Sequence, residues 1–153
     1  MKQTTLAYIK DGGNTLLLYR NKKKEDENAG KWIGVGGKFL PGESPEECML
    51  REVCEETGLT PTDYRYRGIV TFVSGDYCEY MHLFTVSAYT GDLTACDEGE
   101  LAFVPDAEMG TLPMWEGDRI FLDLIEEDTP FFSLKLVYAG ERLTDVILNG
   151  KAL

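Results

Sequence analysis

The sequence predicts an α+β domain in which a mixed sheet carries two main helices. Three observations predict it. Two alternating apolar stretches at the N-terminus flank a turn signal, one strongly capped helix follows, and further β-like stretches then surround a second amphipathic segment.

Residues 4–10 and 15–20 ("TTLAYIK", "TLLLYR") read as strands joined by "DGGN", a hairpin signal. The segment "NKKKEDENAG" is polar and reads as a loop. Residues 32–39 set glycines among apolar side chains, which predicts an extended segment whose backbone approaches something closely. The clearest helix follows. Ser44 suits its N-cap, Pro45 its first position, Glu47 completes a capping box, and Gly58 closes it. Residues 66–73 and 79–89 read as β, and "AFVP" (102–105) as a short strand. A second helix is predicted from about Gly117 to Glu127, with Ile120, Phe121 and Leu124 on its apolar side. The tail, residues 131–149, reads as a strand pair around "AGE". Neither a repeat nor a linker is visible.

Composition narrows the function. The 153 residues are expected to form one domain, 1–153, and 43% hydrophobic content fits a folded core. No apolar run approaches the roughly 20 residues that span a bilayer, and the start lacks the features of a signal peptide. A soluble, cytoplasmic protein without a membrane partner is expected. A net charge of −12 argues against polymeric nucleic acid, whose backbone demands clustered Lys and Arg. A small phosphate ligand remains possible if divalent cations bridge the two negative partners. Cysteines 48, 54, 78 and 96 show no paired zinc spacing and are read as reduced thiols. His82, the only histidine, reads as a satisfied strand residue.

On the predicted helix Glu52, Glu55 and Glu56 share a face, although like charges four apart cost about 0.2–0.5 kcal/mol per pair. Hard ions such as Mg²⁺ or Mn²⁺ prefer such oxygens, and bound metal would offset the repulsion. Arg51 lies off that face, where it can pair with Glu43 and lock the loop to the helix. A lone acidic face would read as solvated surface.

The face is not alone. Gly37, Glu43, Arg51, Glu52, Glu55, Glu56 and Gly58, with aliphatic Val53 and Leu59, spell GX5EX7REUXEEXGU over residues 37–59. This resembles the signature of the Nudix hydrolases at every specified position. The resemblance implies their αβα sandwich, the Nudix fold, with this loop–helix–loop as the catalytic element. It implies hydrolysis of a diphosphate linked to another group. It makes Glu52, Glu55 and Glu56 metal ligands together with the Gly36 carbonyl, and leaves Glu43, Arg51 and Gly58 structural. A further loop glutamate often joins the metals in related enzymes, and Glu98 is the candidate, with Glu100 behind it. The alternative is that both are solvated loop acids.

"AGKWIGVGGK" and "LPMWEGDRIF" are similar to the MutT-like branch that clears oxidised purine nucleoside triphosphates such as 8-oxo-dGTP, yielding the monophosphate and pyrophosphate. On that alignment Trp115 would stack on the purine and Asp118 would meet the base edge. Thr5 would sit at the pocket floor, Ile33, Gly37 and Lys38 would line the site, and Lys23 would approach the phosphates. Two departures bear on the base. The human member carries Asn where this chain has Ile33, and paired aspartates where it has Gly117 and Asp118. Trp115 as a core aromatic, Asp118 as a helix cap and "NKKK" as a solvated loop are the plainer alternatives. Hydrolysis of dinucleoside polyphosphates or nucleotide sugars is the competing activity, although the ADP-ribose type usually has a proline beyond the signature and this chain has none between Pro61 and Pro105. A non-catalytic nucleotide sensor is the competing class, and such domains typically lose signature glutamates. The resemblance leaves monomer or dimer open.

Overall fold

A computed structural model describes residues 1–22, 26 and 28–153. Its strands are β1 (Lys2–Asp11), β2 (Asn14–Tyr19), β3 (Trp32–Ile33), β4 (Thr60–Ser74), β5 (Tyr77–Thr90), β6 (Glu100–Pro105), β7 (Phe132–Ala139), β8 (Arg142–Leu148) and β9 (Lys151–Ala152). The helices are α1 (Pro45–Thr57) and α2 (Glu116–Glu126), and a 3₁₀ turn covers Asp106–Thr111.

One mixed sheet runs β3-β2-β1-β5-β4-β7-β8-β9, with β6 also paired to β2. The β1–β5 and β4–β7 pairs are parallel and the others antiparallel. Alternation along β1 sends Ala7 and Ile9 to one face and Tyr8 to the other. On the first face they meet Met49 and Val53 of α1, with Leu16, Val35 and Phe84. On the second, Phe121 and Ile125 of α2 pack over Tyr8, Leu83, Leu134 and Leu136. The two cores make the α+β sandwich.

Both ends of α1 are fixed locally. Ser44 Oγ accepts from Glu47 N at 3.1 Å while Ser44 N donates to Glu47 Oε1 at 2.9 Å. Gly58 stands at φ 80 and donates its N–H to Cys54 O. The second helix starts one residue earlier than the sequence suggests, at Glu116, because the extended Trp115 is its N-cap residue. The middle β stretches are longer than expected and form one hairpin, Thr60–Ser74 with Tyr77–Thr90, interrupted by register shifts near Asp63 and Gly68.

The segment after β3 positions the site. Trp32 and Ile33 pair with β2, but Val35 crosses to Ala7 of β1 through bonds of 2.6 and 3.0 Å, and Gly37 O accepts from Thr5 N at 2.9 Å. The chain thus wedges between two strands of the sheet. A Cβ on Gly36 would lie 1.8 Å from Thr5 O, which explains the glycine.

Candidate active site

The wedge, the flank of α1 and the start of α2 surround a cleft of about 580 Å³, an ordinary size for a small-ligand site. One end is charged. Glu52, Glu56 and Glu98 line it with Arg20, Lys38 and the Gly36–Gly37 backbone.

Arg51 organises the acidic side. Its Nε and Nη2 reach the two oxygens of Glu43 at 2.7 and 2.9 Å, and Nη2 also donates to Lys38 O at 2.9 Å. These bonds fasten the loop to the helix and hold the Glu43 carboxyl down at about 2. Nη1 donates to Glu52 Oε1 at 2.8 Å and to Glu55 Oε2 at 3.2 Å. One guanidinium thus relieves much of the repulsion that the helix sequence builds in. Gly37 leaves the room for this, since a Cβ there would lie 2.5 Å from the Glu52 carboxyl.

The three helix carboxylates differ. Glu52 is 15% exposed at the cleft wall, whereas Glu55 stands on the rim at 60%. Glu56 is half-buried, and its Oε2, shielded from solvent, has no hydrogen-bond partner. Burial pushes the Glu56 carboxyl up to about 8, reinforced by the charges of Glu98 and Glu52 and opposed by the Gly36 backbone and Arg20. Glu98 itself pairs with Arg20 Nη1 at 3.0 Å.

An orphaned carboxylate oxygen in such a place calls for a proton or a cation. Hard oxygen donors backed by a glycine loop suit a divalent ion such as Mg²⁺ or Mn²⁺. Among the described residues no three carboxylate, thiol or imidazole side chains form a ready cage. That agrees with the habit of Mg²⁺, which takes one or two carboxylates and completes its shell with water and substrate phosphates.

The other end of the cleft is apolar and aromatic. Ile33, Phe72, Met81 and Trp115 line it together with Asp118. Trp115 is fixed on several sides. Its Nε1 donates to Asn28 Oδ1 at 2.7 Å, its ring lies roughly perpendicular to Phe72 and Tyr138 with centroids 5.9 and 5.2 Å away, and Lys31 Nζ sits 4.5 Å from its ring centroid. Asp118 is 7% exposed, and burial pushes its carboxyl up to about 7. It lies inside α2 rather than at the cap, and no side chain caps that helix. The adjacent Gly117 is dictated by packing. Its N–H donates to Tyr138 Oη at 2.8 Å, and a Cβ there would meet that oxygen at 2.6 Å.

Most of the sequence-derived residues converge on this cleft, but with differences. Thr5 lines it, yet its hydroxyl turns to Cys48 Sγ at 3.5 Å, and the hydroxyl directed at a neighbouring cleft residue, Glu79, is that of Thr4. Glu55 and Glu100 are not in its lining, and Glu100 pairs with Tyr19 at the start of β6. Lys23 lies outside the described residues. Among the described residues the cations at the charged end are Arg20, the residue just after β2, and Lys38; Arg20 was not singled out in the sequence. Lys2, Thr4 and Glu79 also line the cleft without having been singled out.

A mixed sheet between two helices, with a glycine-rich wedge leading into an acidic helix beside a cleft, defines a Nudix-fold hydrolase. The chain belongs to the Nudix family: the NUDIX domain matches residues 2–125. It is 31% identical over 152 residues to the oxidized purine nucleoside triphosphate hydrolase of Danio rerio, covering 98% of this chain and 93% of that one. It is 29% identical over 131 residues to the Nudix hydrolase YvcI of Bacillus subtilis, covering 82% and 79%. The mutator MutT protein of Bacillus halodurans superposes with a TM-score of 0.89 at 25% identity, covering 99% of both chains.

Proposed function

We propose that this Nudix hydrolase cleaves purine nucleoside triphosphates, oxidised forms such as 8-oxo-dGTP among them, to the monophosphate and pyrophosphate in a Mg²⁺- or Mn²⁺-dependent reaction that cleans the nucleotide pool. The observation that carries this reading is the continuity of one cleft from the carboxylates of α1 to Trp115 and the buried Asp118. A single ligand with polyphosphate at one end and a flat base at the other fits that division. The name of the Danio rerio relative supports the same substrate class.

In this proposal Glu52, Glu56 and Glu98, with Glu55 at the rim and the Gly36 carbonyl, would supply the one or two carboxylates that a divalent ion takes, with water and substrate phosphate completing its shell. The bound ion supplies charge neutralisation and a water of lowered pKa. Lys38 and Arg20 face the phosphates, and a flanking carboxylate accepts the proton of the attacking water as the anhydride bond breaks. Trp115 offers a stacking surface, worth about 1–3 kcal/mol in comparable base contacts. Asp118, neutral below about pH 7, can both donate to and accept from a base edge.

The test is a turnover panel of 8-oxo-dGTP, dGTP, ATP, a dinucleoside polyphosphate and ADP-ribose, run with Mg²⁺, with Mn²⁺ and with chelator, with products separated by ion exchange. Nucleoside monophosphate plus pyrophosphate, formed only with metal, is the expected outcome. Turnover in chelator, nucleoside diphosphate plus orthophosphate, or a preference for ADP-ribose contradicts it.

A further inference from the structure

The nucleoside end of the cleft has a wall that neither the acidic helix nor Trp115 accounts for. Lys2, Glu79 and Phe72 form a row across three adjacent strands, Lys2 facing Glu79 between β1 and β5, and Phe72 facing Glu79 between β4 and β5. All three line the cleft. The Phe72 ring in turn lies roughly perpendicular to Trp115 with centroids 5.9 Å apart, and Met81, two residues along β5, lines the same wall. A carboxylate is therefore set into the side of a flat apolar slot.

That carboxylate is held in place. Glu79 Oε2 accepts from Thr4 Oγ1 at 2.7 Å, Oε1 accepts from Tyr77 Oη, and Lys2 Nζ stands 3.5 Å from Oε1 while donating to Tyr77 Oη at 2.8 Å. The side chain is 14% exposed, so it retains a path to a ligand. Each carboxylate oxygen accepts two hydrogen bonds, and Thr4 uses one of the two on Oε2. The remaining capacity is acceptor-only. It repels phosphate and selects a hydrogen-bond donor, and the flat rings of Phe72 and Trp115, with apolar Met81 beside them, favour a donor carried on a base over one on a sugar.

We propose that Glu79 is a specificity-determining residue that accepts a hydrogen bond from the exocyclic amino group of the substrate base, with Thr4, Tyr77 and Lys2 as its positioning residues. This deepens the proposed triphosphate hydrolysis and rests on it. A site built around a buried acceptor rejects an analogue lacking the matching donor, because the acceptor is then left unpaired.

The experiment compares kcat/KM within three pairs, dGTP against dITP, ATP against the triphosphate of unsubstituted purine riboside, and GTP against dGTP, for the wild type, Glu79→Leu and Thr4→Val. The wild type should favour the amino-bearing member of at least one of the first two pairs by roughly 10–100-fold. Glu79→Leu should bring that ratio near one without changing the divalent-ion requirement, and Thr4→Val should lower it part of the way. If Glu79→Leu fails to fold, Glu79→Gln keeps the shape while presenting an amide donor as well, and should lower the same ratio. An equal loss on both members, with the ratio intact, reduces Glu79 to a structural role and overturns the inference. A change confined to the GTP/dGTP ratio assigns the carboxylate to the sugar and overturns it too. A wild type that hydrolyses no nucleoside triphosphate ends both proposals, whereas normal turnover with ratios indifferent to Glu79 ends this one alone.

Discussion

The two ends of the cleft are built in opposite ways. The charged end comes mainly from one stretch, Gly36 to Gly58, whose parts brace one another through the Glu43–Arg51 pair, the Ser44–Glu47 box and the Gly37–Glu52 approach. The aromatic end is assembled from β1, β3, β4, β5, α2 and Trp115 at its N-cap, which are scattered along the chain. In the proposed function, chemistry common to every diphosphate would rest on a local, internally braced element, and recognition on residues that can change singly without disturbing it. The difference predicts that substitutions at the charged end lower turnover on all substrates alike, and that substitutions at the other end alter the ranking of substrates.

The largest expected effect separates the helix carboxylates. Glu56→Gln keeps the volume but removes the negative charge behind the unpartnered Oε2, which in the proposed function would face the ion, and should cost on the order of 10³-fold or more in kcat, beyond the roughly 10–100-fold typical of an outer-shell partner. Glu55→Gln, on the exposed rim, should cost less, and both should affect 8-oxo-dGTP and dGTP equally. Steady-state kinetics with both nucleotides checks this. An equal loss from the two variants breaks the depth distinction, and a loss that depends on the base breaks the division between the ends.

At the nucleoside end, Trp115→Ala should raise KM for purine nucleotides about 10-fold if 1.4 kcal/mol of stacking is lost, with kcat nearly kept. Saturation curves decide it. A fall in kcat at constant KM would mean that Trp115 supports the fold around Phe72 and Tyr138 rather than the base.

The same division governs what could be read in the sequence. The charged end was legible because its residues are close along the chain and each has a local geometric reason, such as the αL cap at Gly58 or the arginine eight positions after Glu43. The inequality of Glu55 and Glu56 was not legible, since helical spacing gives a shared face but not the depth to which the wedge buries it. Glu79 was hidden for another reason. Its partners Lys2 and Thr4 are more than 70 positions away, and only the parallel β1–β5 register brings them together. The replacement of an aspartate by Gly117 also became intelligible only in three dimensions, where the Tyr138 hydroxyl occupies the space a side chain would need. Arg20, just beyond the end of β2, was passed over because nothing local in the sequence places its side chain in the cleft.

The most direct test of the separation is the ratio of kcat/KM for 8-oxo-dGTP over dGTP, measured from pH 6 to pH 8 for the wild type and Asp118→Asn with metal held constant. Burial raises the Asp118 carboxyl to about 7, so the wild type presents a neutral acid below that pH and a carboxylate above it. The amide of Asp118→Asn keeps a donor and an acceptor at every pH. The wild-type ratio should therefore change across about pH 7 and the variant's ratio should stay flat, with the divalent-ion requirement the same in both. Identical pH profiles and identical ratios in the two proteins would contradict the account, because the base would then be read without Asp118.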